Sequence, residues 1–167
     1  METIGKSTIG SFTRSCIHAQ GFSAFSDEEI VRLNLALRFT PAVCSVLMIV
    51  GLAWQLPVLL FVLAAIGWIG AAFARGNPLD WLYNVLVQPL IGGAVLPPNP
   101  PGRRFSCAIG GTLAAGAALA FLGGLNALAY ILGGFVVAAS LTVATTHWCL
   151  GSWIYGLMFG KRKGSAV

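Results

Sequence analysis

Four apolar blocks, at about residues 37–56, 57–74, 105–122 and 126–148, divide this chain of 167 residues. Apart from Arg38 at the edge of the first block, every Lys, Arg, Asp and Glu lies between or outside them. A helix needs about 20 apolar residues to cross the hydrocarbon of a bilayer. The blocks have that length, so the pattern predicts four transmembrane helices. The gaps at Gln55-Leu56-Pro57 and Gly123-Gly124 contain no charge, and they join the helices into two tight hairpins.

Local signals mark where the elements begin. Ser26-Asp27-Glu28-Glu29 has the form of a capping box, with Ser26 as N-cap and Glu29 at the third helical position. The helix it starts runs amphipathically through Ile30, Val31, Leu33 and Leu35 before entering the bilayer, with a kink expected at Thr40-Pro41. Pro57 suits the first turn of span two. Asn77-Pro78 reads as N-cap and first residue of a further helix. There Leu79, Leu82, Tyr83, Leu86, Val87 and Leu90 share one face, while Asp80, Asn84 and Gln88 form the opposite stripe. That pattern predicts an amphipathic helix at about 78–90 lying in the membrane interface, anchored by Trp81 and Tyr83. Residues 97–102 are a stiff Pro-rich connector. Span three carries Gly110, Ala114, Ala117 and Ala118 at small-xxx-small spacing, which predicts the most buried helix. After span four a break centred on Gly151 is expected. Trp153 and Tyr155, with Met158 and Phe159, then anchor the exit at the interface.

The expected fold class is all-α: an integral membrane bundle of four transmembrane helices, arranged as two helical hairpins, with a cytoplasmic-side amphipathic interfacial helix between spans two and three. The organisation is a polar, irregular arm at 1–25, the membrane domain at 26–160 and a basic tail at 161–167. Only 9% of the residues are charged and 57% are hydrophobic, whereas a soluble domain is about a quarter charged. The ten Lys and Arg residues all fall in the N-terminal region, the central connector or the tail. Arg75, Arg103, Arg104, Lys161, Arg162 and Lys163 carry the topology signal. With an even number of spans those regions share one side, which the positive-inside rule makes cytoplasmic. Both termini are therefore expected in the cytoplasm of a bacterial inner membrane. The formal charge of +5 is read as attraction to anionic lipid headgroups, and nucleic acid is not an expected partner. Residues 1–20 lack the apolar core of a cleavable secretion signal, so the first span is expected to direct insertion.

Candidate chemistry is sparse. No span holds an Asp, Glu or Lys, which argues against proton relays and ion-coupled transport. Arg38 reads as a snorkelling interface residue. Cys16, Cys44, Cys107 and Cys149 all belong to the cytoplasmic, reducing half, so structural disulfides are not expected, and Cys44 and Cys107 read as small packing residues. The stretch from Thr146 to Ser152 is the most site-like. Its His147 is the only histidine in a span. It has the chemistry for axial ligation of haem or chlorophyll, or for a metal site with Cys149, Cys107 and Cys44. An interface histidine bonded to a helix end or to lipid is the favoured, plainer reading, and no cofactor is required. Cys149 and Ser152 have the spacing of a C-x-x-C pair whose second thiol is a hydroxyl. One thiol can hold a mixed disulfide or persulfide but cannot resolve it alone.

Gly76-Asn77-Pro78-Leu79 with Leu82-Tyr83, the Pro-rich connector, Arg103-Arg104-Phe105 and Cys149-Leu150-Gly151 with Ile154-Tyr155 occur in an order that resembles a bacterial membrane protein family. The family is domain of unknown function 4395, and the resemblance covers about residues 27–156. Members of that family typically end in a Cys-x-Gly-Cys element and are associated with thioredoxin-like and sulfur-handling proteins. The resemblance implies thiol chemistry at the cytoplasmic face with Cys149 at the matching position, and this chain departs from it at Ser152. The leading expectation is a non-catalytic accessory or assembly subunit of a larger inner-membrane complex, respiratory or photosynthetic, whose partners are membrane lipid and other integral membrane proteins. The alternative is a sulfur- or thiol-handling protein using Cys149, its pKa lowered by His147. Haem or chlorophyll binding through His147 is the third reading.

Overall fold

The structure, a computed structural model, describes residues 10–20, 22 and 26–159, and among them there is helix and no strand. The elements are α1 (Ser11–Ala19), α2 (Asp27–Ala53), α3 (Pro57–Ala72), α4 (Pro78–Leu82), a π-helical turn (Tyr83–Val87), α5 (Gln88–Ile91), α6 (Pro101–Leu122), α7 (Asn126–Thr146) and α8 (Leu150–Phe159). Three of these, α2, α6 and α7, are long and apolar enough to cross a membrane. The apolar α3 is shorter, at 16 residues. Arg104 gives the physical reason. Its Nε and Nη2 donate to the carbonyls of Ala71 and Ala72 at 2.8 and 2.7 Å. The guanidinium thus satisfies two of the carbonyls that a helix end leaves open, and Phe73 beyond them is extended.

The four long helices stand in a ring. α3 packs along α6, α6 beside α7, α7 beside α2 and α2 beside α3. Met48, Leu52, Leu60, Leu63, Ala64, Ala114, Ala117, Ala118 and Val136 fill the centre. The small-residue stripe of α6 is buried at Ala114, Ala117 and Ala118. The close crossing, however, is at Gly111 rather than Gly110. A Cβ at Gly67 would lie 2.9 Å from the Gly111 Cα, and one at Gly111 would lie 2.9 Å from the Ala64 carbonyl oxygen, whereas Gly110 has open space. Backbone meets backbone there, so neither position admits a side chain. α6 is as buried as α2 and more buried than α7.

Several start signals act as expected. Ser26 caps α2 with the reciprocal Glu29 bond of a capping box, Pro57 opens α3, and Asn77 accepts from the Leu79 amide at 3.0 Å. Pro41 is accommodated inside α2. Within the polar arm, Ser11–Ala19 form α1. Ile17 and Phe22 are buried with Ile30, Leu33, Ala36, Leu37, Tyr83 and Leu96 in a second apolar cluster, which holds α1 against α2. The break after α7 falls at His147, which adopts a left-handed φ of 60°, and Gly151 lies inside α8. The first nine residues and the tail Lys161, Arg162 and Lys163 lie outside the described residues.

Candidate functional site

The starts of α2 and α6, the ends of α3 and α7, and α4 and α8 gather at one end of the bundle. There the chain buries polar side chains that periodicity alone assigned to water. Asp80 on α4 is the first node. Sequence spacing placed it on a solvent stripe, yet it is buried. It accepts from the Thr40 hydroxyl of α2 and from Asn99 Nδ2 at 2.6 Å, and Arg103 Nη2 of α6 lies 3.5 Å away. The Pro-rich connector supplies Asn99, whose own amide donates to the Ala74 carbonyl at 2.7 Å. Asn84 makes two bonds to the Leu96 backbone and Gln88 donates to the Gly93 carbonyl. The whole polar stripe of 78–90 is therefore turned onto the segment 93–99 that follows α5. Meanwhile Leu86 and Leu90 are exposed and Leu79 is buried. The π turn at Tyr83–Val87 accounts for the split, because its wider hydrogen-bond register shifts the phase of every residue beyond it.

His147 is the second node. Only 1% of its surface is exposed. Arg38 Nε donates to its Nε2 at 2.9 Å, the Asn34 side chain faces the same nitrogen at 2.8 Å, and Gln20 Nε2 donates to its carbonyl. Arg38 Nε–H can only donate and Asn34 Oδ1 can only accept, so the two contacts on Nε2 call for opposite tautomers of the ring. His147 lies just past the last residue of α7. Burial, with the charges of Arg38 and Arg103 beside it, holds its pKa down at about 4. The ring is neutral at pH 7. Nδ1 is buried without a hydrogen-bond partner among the described residues.

Cys149 is the third node, at the start of α8, where its carbonyl accepts from the Trp153 amide at 3.0 Å. Its Sγ lies 3.0 Å from Ser106 Oγ on α6, and the buried Ser152 hydroxyl lies 3.4 Å from the same oxygen. Neither ring nitrogen of His147 bonds the thiol, so the structure does not support His147 as its activator. Nε2 is occupied by Arg38 and Asn34, and Nδ1 is sealed. Among the described residues no group of three or more His, Cys, Asp or Glu could hold a metal. All four cysteines are free thiols.

The remaining predicted residues divide. Trp81 and Trp153 are exposed, as interface anchors would be. Tyr155 is half-buried between Phe105 and Phe159. Tyr83 corrects the reading, since it is buried against Phe39 with ring centroids 5.2 Å apart. Arg75 is exposed. Arg103 and Arg104, read as topology signals, are the ion-pair partner of Asp80 and the cap of α3. Arg38 is the partner of His147 rather than a free snorkelling cation. One signal could have exposed Asp80: it is the only acid after Glu29, in a connector that ends in two arginines.

Residues 34–159 match the family described as a domain of unknown function, DUF4395. The chain belongs to this family. The match holds Asn34, Arg38, Thr40, Asp80, Asn99, Arg103, His147 and Cys149, so the three nodes lie inside the DUF4395 domain, while α1 and the Ser26 cap precede it. No curated protein and no solved structure matches the chain.

Proposed function

We propose that this DUF4395 protein crosses a bacterial inner membrane four times, through α2, α3, α6 and α7, and serves as a non-catalytic accessory or assembly subunit of a larger complex. α3 joins the far end of α2 to the polar end of α6, so it traverses the same slab as its longer neighbours despite its length. The described arginine residues cluster at the polar end, which supports a cytoplasmic location for that end and for both termini. The segment Pro78–Ile91 then lies along the cytoplasmic interface with Trp81, Leu86 and Leu90 turned outward.

The observation that carries the subunit reading is the open face of α7. Leu128, Ile131 and Phe135 are exposed along one side, and 17% of its apolar window is buried against 33% for α2 and for α6. Gly134 on that side has nothing within 4 Å, which lets a neighbouring helix approach closely. Mild purification from membranes followed by native mass spectrometry tests it. Stoichiometric integral membrane partners, lost in a Gly134→Leu variant, are expected. A stable solitary monomer would sink the proposal.

A second reading has its own observation. Cys149 immediately precedes α8 with the Ser106 hydroxyl beside its sulfur, an arrangement suited to holding a thiolate or a persulfide. Thiol labelling in membranes checks it. If Cys149→Ala leaves the labelling rate and the cellular phenotype unchanged, thiol handling is excluded.

A further inference from the structure

The polar end holds more positive charge than it neutralises. Arg103 is 8% exposed. Its one polar contact among the described residues is the 3.5 Å approach to Asp80, whose oxygens are already engaged by Thr40 and Asn99. Arg38 spends Nε on a neutral histidine and has no carboxylate partner, so the protons on its two Nη atoms have no acceptor among the described residues. The charges of both arginines reach His147, and its Nδ1 is a buried ring nitrogen with no hydrogen-bond partner among the described residues. A buried guanidinium left without an anion costs several kcal/mol. Arg103 is buried and pairs with Asp80, whereas Arg38 is half-buried and pairs with no carboxylate among the described residues. One positive charge is left over.

We propose that Arg38 and Arg103, beside His147, form a binding site for a phosphate-type oxyanion. The forked N–H groups of arginine match the paired oxygens of phosphate. An oxyanion with three or four acceptor oxygens can accept hydrogen bonds from both guanidinium groups, whereas the Asp80 carboxylate is already bonded to Thr40 and Asn99. The neutral histidine fits the same purpose, since it positions Arg38 through Nε2 without adding a further charge to repel. Phosphate of this kind comes either from a lipid headgroup or from free inorganic phosphate. The inference rests on the polar end alone and on neither functional reading above.

The experiment uses the full chain in two settings. In neutral detergent, the unfolding midpoint is followed by tryptophan fluorescence as sodium phosphate is raised against sodium chloride of equal ionic strength. In nanodiscs of phosphatidylcholine with and without phosphatidylglycerol, native mass spectrometry reads retained lipid. A midpoint that rises with phosphate beyond the chloride control identifies a free anion, following the usual ligand linkage. Selective retention of phosphatidylglycerol identifies a lipid headgroup. In either case Arg38→Gln, which leaves Asp80 its partners, weakens the effect roughly ten- to a hundredfold, as expected for loss of a charged hydrogen bond. The paired variant Asp80→Asn with Arg103→Gln guards against misfolding and loses the response as well. If neither phosphate nor phosphatidylglycerol acts on the wild type, or if Arg38→Gln responds like it, the site does not exist.

Discussion

At the far end of the bundle the chain turns through Trp54-Gln55-Leu56 and Gly123-Gly124-Leu125, and a hydrogen bond from Gln55 Nε2 to the Tyr130 hydroxyl at 3.1 Å, between exposed residues, joins the two hairpins there. At the polar end Thr40, Asp80, Asn99 and Arg103 are bonded across α2, α4, the connector and α6, and Gln20, Asn34, Arg38 and His147 across the arm, α2 and the α7–α8 break. One end is closed by short turns that need no side chain to hold them. The other is closed by buried charge. Turns between adjacent helices follow from chain connectivity, whereas α4, α8 and the connector are held in place by side chains that become costly when left unpaired. The polar end is accordingly where substitution should act most strongly.

Asp80 should give the largest effect. Asp80→Ala strands Arg103 in a buried position, and removing one member of such a pair costs about 3–5 kcal/mol. Unfolding in detergent should show that loss in the single variant. Asp80→Asn combined with Arg103→Met should recover much of it, because no buried charge is then left over. Strictly additive losses in this cycle would mean the two residues are not coupled, and the contrast between the ends would collapse.

Why the charged node escaped a reading of the sequence is instructive. Periodicity through Leu79, Leu82, Tyr83 and Leu86 located a helix and assigned its polar stripe to the outside. That inference assumes water beyond the stripe, whereas Leu96 and Asn99, in the segment between α5 and α6, fold back to meet Asn84 and Asp80. The pairing is long-range and leaves no local period. The π turn is equally silent. By contrast the caps at Ser26, Pro57 and Asn77 depend on neighbours within three residues, and they were legible. α1 was hidden because its burial rests on Ile17 and Phe22 meeting residues of α2 and of the segment between α5 and α6. His147 and Cys149 were singled out from sequence, but their partners Arg38 and Ser106, more than forty residues away, could be found only in three dimensions.

A pH titration sharpens the comparison next. His147 is held at about 4 by burial and by Arg38 and Arg103, against an ordinary value of 6.5. Its folded pKa is lowered, so between those values the unfolded chain binds a proton that the folded chain refuses. Stability is then full above pH 6.5, falls as the pH drops toward 4, and levels off below. The shift corresponds to up to about 3 kcal/mol across that window. Carboxylates titrate in acid as well, so the informative quantity is the difference between the wild type and His147→Gln. The variant should show a shallower acid slope. An unchanged slope would mean that the ring is not buried beside two cations.

The smallest effect belongs to the far end. Tyr130→Phe removes the hydroxyl that accepts from Gln55 and keeps the ring that packs edge-on against Phe121 with centroids 5.4 Å apart. Both partners are exposed, so each polar group can find another partner when the bond is broken, and a loss of about 0.5 kcal/mol or less is expected. Removing the ring with Tyr130→Ala should cost more, since the aromatic pair goes with it. Unfolding midpoints of the two variants, measured beside Asp80→Ala, rank the ends directly. A Tyr130→Phe loss comparable to that of Asp80→Ala would show that the uncharged turns need side-chain support after all, and the distinction drawn between the two ends would have to be abandoned.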